Sequence, residues 1–261
     1  MVSATGDIAA RFRVDGRVAL VTGAGRGLGR SIAHALAQAG AEVWLAARTR
    51  AEIEHAATDI RAGGGRAHAV ACDVTDAAAV ARVVTAIPAL DILINNAGMN
   101  IPEPFVDVSE AHFDQMLALN VKGVFLATQA AVRKMLAAAD RKERGGAIVN
   151  ITSQMGHVGA ANRTIYCLTK HAVEGLTKAL AVELAPHNIR VNSVAPTFVA
   201  TPMTAPMFKR ADFSQWVHDR IPLGRLGELE EVMTAVLFAA SPAASLMTGT
   251  SLVIDGGWTA Q

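Results

Sequence analysis

The sequence predicts an α/β fold, a doubly wound parallel sheet of about seven strands with helices on both faces. Two observations lead to this prediction. Short apolar runs alternate with longer stretches of helical periodicity along most of the chain, and the runs are apolar at successive positions. Such runs are typical of strands buried on both faces, as parallel strands are, and right-handed crossovers then place helices on both sides of the sheet.

The individual elements follow from this pattern in chain order. We predict strands at 18–22, 42–46, 67–71, 91–95, 147–152, 190–194 and 251–254. We predict helices at 31–39, 50–62, 76–87, 112–136, 165–184 and 228–239. Gly40 ends the first helix, glycines 63–65 end the second, and Pro88 closes the third.

The chain shows no interior linker, charge run or low-complexity tract. We therefore predict a single Rossmann-type domain over residues 16–261, preceded by an N-terminal extension of residues 1–15. One stretch, 197–225, holds several prolines without a clear period. In a compact domain such a stretch is often a lid over a functional site.

Composition excludes several classes of protein. The net charge is +1, whereas a nucleic-acid-binding protein usually carries a basic excess. The two cysteines, Cys72 and Cys167, do not form a CxxC pair, which fits a reduced compartment and argues against a thiolate zinc site. No export signal or run of about 18 apolar residues is present. We expect a cytoplasmic protein that binds no nucleic acid, membrane or metal.

A glycine-rich loop joins the first strand to the first helix. Gly23, Gly27 and Gly29 follow a GxxxGxG pattern, with Arg26 and Leu28 between them. Glycines let the backbone approach a pyrophosphate, and the helix N-terminus offers free N–H groups and a positive dipole end. The loop therefore predicts nucleotide binding; the alternative is a plain strand-to-helix turn.

The end of the second strand indicates which nucleotide. An acidic residue there would bind a ribose 2′-hydroxyl, whereas arginine accommodates a 2′-phosphate. The strand ends in Ala47 and Arg48, while Glu42 and Glu52 lie too early and too late. With help from Arg26, Arg48 favours NADP(H), and NAD(H) stays possible. The alternative is a solvated Arg48.

The next two strands also end in polar residues. Asp73, with Val74 beside it, follows the third strand and is expected at the adenine edge, or else as the cap of the next helix. Asn96 follows the fourth strand and is expected to line the cofactor groove, because ligands bind outside the carboxyl ends of such strands. Asn95 is expected to bond neighbouring backbone.

A catalytic set stands in the second half of the chain. Tyr166 is the single tyrosine, Lys170 follows four residues later on the same helix face, and Ser153 ends the fifth strand. A phenol has a reference pKa of about 10. A nearby ammonium and a positive nicotinamide would lower it, and a serine hydroxyl could hold the substrate oxygen. The alternative is a surface tyrosine and lysine beside an unrelated serine.

These residues resemble the short-chain dehydrogenase/reductase family over essentially the whole chain after residue 15. The loop at 22–29 is similar to the family's cofactor loop and the NNAG at 95–98 to its fourth-strand motif. Ser153, Tyr166 and Lys170 match its catalytic triad. The resemblance implies an enzyme that moves a hydride between a nicotinamide and a carbonyl/alcohol pair, with Tyr166 as acid/base.

The resemblance implies further residue roles. Asn120, in the sequence LNVKG, matches the family's fourth catalytic residue, whose backbone carbonyl would hold a water linking Lys170 to solvent. After the sixth strand, Val199 and Thr201 would contact the cofactor, although Thr197 replaces the family's glycine. The resemblance also implies a dimer or tetramer that packs through helices 112–136 and 165–184.

The substrate is not determined by the sequence. Expected pocket residues are Asn100, Gln154, Met155, His157, Met203, Met207, Phe208 and Trp216, beneath a substrate lid around 197–225. Arg163 either meets an acidic group or faces solvent. Three hypotheses stay open. They are an NADPH-dependent reductase of 3-oxoacyl groups or ketones, a dehydrogenase of a sugar, sugar acid or polyol, and a non-catalytic cofactor-binding scaffold.

Overall fold

The computed structural model describes residues 7–200, 204 and 207–261. A seven-stranded, fully parallel sheet runs through the molecule in the order β3-β2-β1-β4-β5-β6-β7. The strands are β1 Val18–Thr22, β2 Glu42–Ala47, β3 Arg66–Ala71, β4 Ile92–Asn95, β5 Gly146–Ile151, β6 Ile189–Pro196 and β7 Ser251–Ile254.

Helices connect the strands and cover both faces of the sheet. They are α1 Gly27–Gln38, α2 Arg50–Ala62, α3 Ala77–Ala86, α4 Glu110–Leu117, α5 Val124–Leu136, α6 Arg141–Arg144, α7 Thr164–Leu184, α8 Ala211–His218 and α9 Leu229–Ala240. A π-helical stretch, Ala118–Gly123, joins α4 to α5. The predicted fold class is therefore confirmed.

The hydrophobic core has two layers, one on each side of the sheet. On one side α1, α2 and α9 bury residues such as Ile32, Ile53 and Val236. On the other side α3, α5 and α7 bury residues such as Val80 and Met135. Apolar area removed from water is the main favourable term in folding, so both layers stabilise the sheet between them.

Among the differences from the predicted elements, three concern helices near the crevice and the 197–225 stretch. Helix α1 begins at Gly27, four residues early, because the last glycines of the loop form its first turn. The helix predicted at 112–136 begins at Glu110, where the Ser109 hydroxyl accepts a hydrogen bond from the His112 N–H (3.2 Å). Helix α8 lies inside 197–225, where no helix was predicted.

The strand order creates the crevice that the site uses. Strand β1 pairs with β2 on one side and with β4 on the other, so the chain leaves the middle of the sheet in opposite directions. In open α/β sheets a ligand crevice forms at such a switch point, outside the carboxyl ends of the strands.

Within the described part of the chain, no helix is long and apolar enough to span a bilayer.

Candidate active site

The loop after β1 can be built only with glycine at several positions. Gly23 and Gly27 have positive φ angles of 63° and 53°, which L side chains rarely adopt. A Cβ on Gly29 would clash with the Gly23 carbonyl and the Asn96 amide. No side chain caps the first N–H groups of α1, so they are available to a phosphate. This cradle fits the pyrophosphate of a dinucleotide.

A groove runs from this loop along the carboxyl ends of the strands. Eight of the predicted cofactor-binding residues line it: Gly23, Arg26, Leu28, Gly29, Arg48, Asp73, Val74 and Asn96. Gly27 forms the turn of the glycine loop and does not line the groove. The described residues of the groove therefore fit the adenosine and pyrophosphate of a nicotinamide cofactor.

The adenosine end of the groove carries mixed charge. Arg48 is exposed at the end of β2, and Arg26 lies 3.9 Å from the Glu52 carboxylate. Glu52 was expected to lie too far beyond the strand end to contact the cofactor, but it lines the groove. The reason is that α2 begins at Arg50, directly after the strand, so its first turn faces the ligand crevice.

Asp73 and Asn96 shape the groove through local hydrogen bonds. Asp73 accepts bonds from the N–H and hydroxyl of Thr75 at 2.9 and 2.7 Å, which hold the pKa of Asp73 below its usual value. It does not cap α3, because Asp76 does so. Asn96 donates to the carbonyls of Thr22 and Gly23, both at 3.1 Å, and so supports the glycine loop.

Asn95 forms a different contact from the expected one. Its Nδ2 donates to the Thr128 hydroxyl and to the Asn150 side-chain oxygen, both at 2.8 Å. The bonds therefore join β4 to α5 and β5 through side chains, and the expectation of a backbone partner was wrong.

Tyr166 and Lys170 lie one turn apart on α7. The Lys170 ammonium is buried, 5.5 Å from the centre of the Tyr166 ring, and donates to the Ile151 carbonyl at 2.9 Å. Ile151 is the last residue of β5, and Ser153 follows it. The helix thus brings phenol and ammonium to the carboxyl end of the sheet.

Burial shifts both titrating groups away from their charged forms. It raises the pKa of Tyr166 to about 12, while the Ser153 hydroxyl, acting as a hydrogen-bond partner, lowers it in part. Burial lowers the pKa of Lys170 to about 8, and the nearby Glu174 carboxylate opposes this shift. For Tyr166, desolvation outweighs the Ser153 hydrogen bond and the Arg163 charge, which both lower the pKa of the phenol.

Ser153 and Asn120 complete the predicted catalytic set. The buried Ser153 hydroxyl donates to Gln154 Oε1 at 2.6 Å and accepts from the Met155 N–H at 3.2 Å. Asn120 lies in the π-helical stretch, a feature that is frequent at functional sites. Its side chain bonds both the N–H and the carbonyl of Met99 (2.9 and 2.8 Å), which ties the loop after β4 to the helix.

The segment after β6 agrees with the sequence analysis only in part. Val199 is buried, packs in the core layer of α9 and pairs with Gly227, and it does not line the described groove. Thr201 lies outside the described residues. Thr197 does not have a positive φ, so its backbone does not need the glycine it replaces.

Several predicted pocket residues serve packing or other contacts. Phe208 and Trp216 join an aromatic cluster centred on Phe198. The His157 ring lies 3.0 Å from the Ser251 hydroxyl and 3.3 Å from the Glu174 carboxylate. Met203 and the Met207 side chain lie outside the described residues. Gln154 and Met155 are buried beside Ser153, and Asn100 is exposed.

Comparison with known proteins decides the family. A family model described as enoyl-(acyl carrier protein) reductase matches residues 23–259. An L-xylulose reductase from Bos taurus is 39% identical over 249 residues, covering 95% of this chain and 99% of that protein. A galactitol 2-dehydrogenase (L-tagatose-forming) from Cereibacter sphaeroides is 42% identical over 257 residues, covering 95% and 97%.

A solved structure agrees with both relatives. The crystal structure of a gluconate 5-dehydrogenase from Burkholderia cenocepacia, in complex with NADP and tartrate, superposes with a TM-score of 0.92. It is 34% identical and covers 98% of this chain and all of that one. The chain belongs to the short-chain dehydrogenase/reductase family. It is therefore an oxidoreductase that interconverts a carbonyl and an alcohol by hydride transfer.

One buried residue of this dehydrogenase escaped the sequence analysis. Glu174, one turn beyond Lys170, accepts hydrogen bonds from the hydroxyls of Thr152 (2.5 Å), Ser193 (2.7 Å) and Ser251 (3.1 Å). These hydroxyls come from the end of β5, from β6 and from β7. The i, i+4 spacing from Lys170 was the available signal, since it predicts that Glu174 shares the buried helix face.

Proposed function

We propose that the chain is an NADP(H)-dependent dehydrogenase that interconverts a secondary alcohol and a ketone in a sugar, sugar acid or polyol. The observation that carries this proposal is the pairing of the half-buried Tyr166 with the buried Lys170 at the carboxyl end of β5, beside Ser153. The relatives support the substrate class, because they are a xylulose reductase, a galactitol dehydrogenase and a gluconate dehydrogenase. The 3-oxoacyl hypothesis has weaker support, which comes from the likeness to a solved 3-oxoacyl (acyl-carrier-protein) reductase from Agrobacterium tumefaciens, 31% identical.

Each catalytic side chain has a defined task in this proposal. Tyr166 takes the proton of the substrate hydroxyl during oxidation and returns it during reduction, and Ser153 holds the same oxygen by a hydrogen bond. A bound nicotinamide would supply the hydride acceptor or donor and a positive charge in the oxidised state. Lys170 would bond its ribose, and Asn120 would hold the water that links Lys170 to solvent.

The preference for NADP(H) depends on charge at the adenosine end. Arg48 and Arg26 bring two guanidinium groups to a part of the groove that also holds the carboxylates of Glu52 and Asp73. A forked guanidinium pairs well with a phosphate, so the exposed Arg48 favours the 2′-phosphate of NADP(H). NAD(H) is the weaker cofactor in this proposal.

A substrate panel with a tyrosine variant tests the proposal. Galactitol, L-xylulose and gluconate are assayed with NADP(H) and NAD(H) by nicotinamide absorbance, for the wild type and for Tyr166→Phe. We expect turnover in the wild type and a loss of at least about 100-fold in kcat in the variant, because the proton has no acceptor. NADPH binding, followed by fluorescence, should be retained.

The panel also separates the remaining alternatives. Turnover that survives in Tyr166→Phe would reject the mechanism. Cofactor binding without turnover of any alcohol or ketone would favour the non-catalytic scaffold.

A further inference from the structure

Arg163 is a buried arginine whose guanidinium is largely unsatisfied. Its residue is 9% exposed, and its side-chain Nε has no hydrogen-bond partner among the described residues. The bond that it does make runs from Nη1 to the carbonyl of its neighbour Asn162, at 3.0 Å. A buried cation without an opposite charge is costly, so such a group calls for an explanation.

The other buried arginine of the described chain, Arg141, has several hydrogen-bond partners and an opposite charge. Arg141 is 5% exposed, and its guanidinium donates to the carbonyls of Leu90 (2.8 Å) and Met135 (3.1 Å) and pairs with Asp91 at 3.3 Å. Among the residues that the structure describes, no comparable carboxylate acts on Arg163. The charged or titrating neighbours that influence its pKa are Tyr166 and Cys167, while burial lowers that pKa.

The position of Arg163 relates it to the catalytic pair. It is the N-cap residue of α7, three residues before Tyr166 and seven before Lys170. It directly precedes the first turn of the helix, which carries the phenol. The positive charge of Arg163 acts on Tyr166, so the two side chains lie within electrostatic range of each other at the start of α7.

We propose that Arg163 binds the carboxylate of an acidic polyhydroxylated substrate, so that the preferred substrates are sugar acids instead of neutral polyols. This inference rests on the proposed function, since it assigns a substrate class to the same site. The unpaired Nε lies on the side of the guanidinium that can pair with both oxygens of a planar carboxylate. A phosphate dianion fits less well, because no second cation acts on Arg163 among the described residues.

Three compounds that differ at one end test the inference. Gluconate, gluconamide and sorbitol share a hydroxylated chain, but only gluconate carries the charge. Each is assayed as a substrate with NADP and as an inhibitor of galactitol oxidation, and gluconate binding to the NADPH complex is measured by calorimetry. We expect wild type to favour gluconate over gluconamide by about 10- to 100-fold, the range for a charge-assisted bond.

The variants identify the residue responsible. Arg163→Gln should bring the gluconate-to-gluconamide ratio to within about twofold, and Arg163→Lys should restore part of it, because it keeps the charge but not the fork. Arg66→Gln is the matched control, since Arg66 is exposed at the start of β3, at the opposite end of the sheet. This control should keep the wild-type ratio.

Several results would overturn the inference and leave the proposed function standing. One is a wild type that oxidises alcohols without favouring the carboxylate. Another is an Arg163→Gln variant that keeps the preference, or that loses gluconate and gluconamide equally while remaining folded by circular dichroism. Tighter binding of sorbitol 6-phosphate than of gluconate would assign Arg163 to a phosphate instead. Failure of the proposed function itself would appear separately, as turnover that persists in Tyr166→Phe.

Discussion

At the scale of single residues, burial disfavours the charged forms of two catalytic side chains. It moves the pKa of Tyr166 up to about 12 and that of Lys170 down to about 8. At neutral pH Tyr166 is therefore a neutral phenol, while Lys170 still carries its proton in most molecules. A positive nicotinamide ring entering this environment acts on a phenol that is poorly solvated, where electrostatic effects are strong.

The low pKa of Lys170 predicts a pH-dependent contribution to stability. Between pH 8 and about 10 the unfolded chain keeps the lysine proton while the folded chain releases it, so the free energy of unfolding rises with pH. Relative to Lys170→Met, wild type should gain about 2 kcal/mol between pH 7.5 and 9.5, measured by urea unfolding. A difference that stays constant over this range would contradict the shift.

Arg48 provides a second prediction at this scale, for cofactor choice. Arg48→Ala should weaken NADPH binding by about tenfold or more and NADH binding by less than about threefold, because only NADPH has the 2′-phosphate. Fluorescence titration of both cofactors measures this. Arg50→Ala is the control, since Arg50 is exposed two residues later and lies 3.5 Å from Glu54. Equal losses for the two cofactors would reject the assignment.

At the scale of elements, the strands were easier to predict than the helices. The central strands are short buried runs, so their residues carry the signal directly, and the partly exposed edge strands β3 and β7 are still short apolar runs. The π-helical stretch changes the period within an unbroken helical segment and has no sequence signature of that kind. Helix α8 does carry apolar residues at helical spacing, Phe213, Trp216 and Val217, but the prolines on either side obscured the pattern.

The site was predictable where a motif fixes the backbone, and less so where tertiary contacts decide. The glycine loop and the Tyr166–Lys170 spacing are local, and both were found. Asp73 was ambiguous because a groove wall and a helix cap require the same residue type, and only the position of Asp76 separates them. Glu52 was missed because its position in the groove depends on the direction in which α2 runs from the end of β2.

The first turn of α1 predicts a sharp difference between two glycines. Gly29→Ala places a methyl group against the Gly23 carbonyl, so the loop must shift, and we expect a loss of cofactor binding of at least about tenfold. Gly175→Ala, on the exposed side of α7, meets nothing within 4 Å in its own chain and should leave cofactor binding unchanged. Titration with the cofactor tests both variants. Normal cofactor affinity in Gly29→Ala would contradict the proposal that this loop binds the pyrophosphate.

At the scale of the whole molecule, two helices leave apolar side chains uncovered. Phe125 on α5 is 47% exposed, and on α7 Leu168 is 45% and Val182 80% exposed. Exposed apolar patches are typical of protein interfaces. A homodimer or homotetramer that packs through α5 and α7 therefore remains our proposal for the assembly.

Light scattering tests this assembly. We expect a mass of two or four times 27.2 kDa for wild type and a smaller mass for Val182→Glu, because a charge would be buried in the interface. Val106→Glu is the control, since Val106 is 87% exposed and belongs to neither helix, lying in the segment between β4 and α4. A wild-type monomer at micromolar concentration would contradict the proposal.

The three hydroxyls that meet on Glu174 have a mechanical consequence. They anchor α7 to the two strands that flank it in the chain, β5 and β6, and also to the edge strand β7. Any sliding of the helix along its axis would have to break all of these attachments together, so the distance of the phenol from the sheet is held against thermal drift. A displacement of the edge strand β7 would therefore also change the position of the Tyr166 hydroxyl.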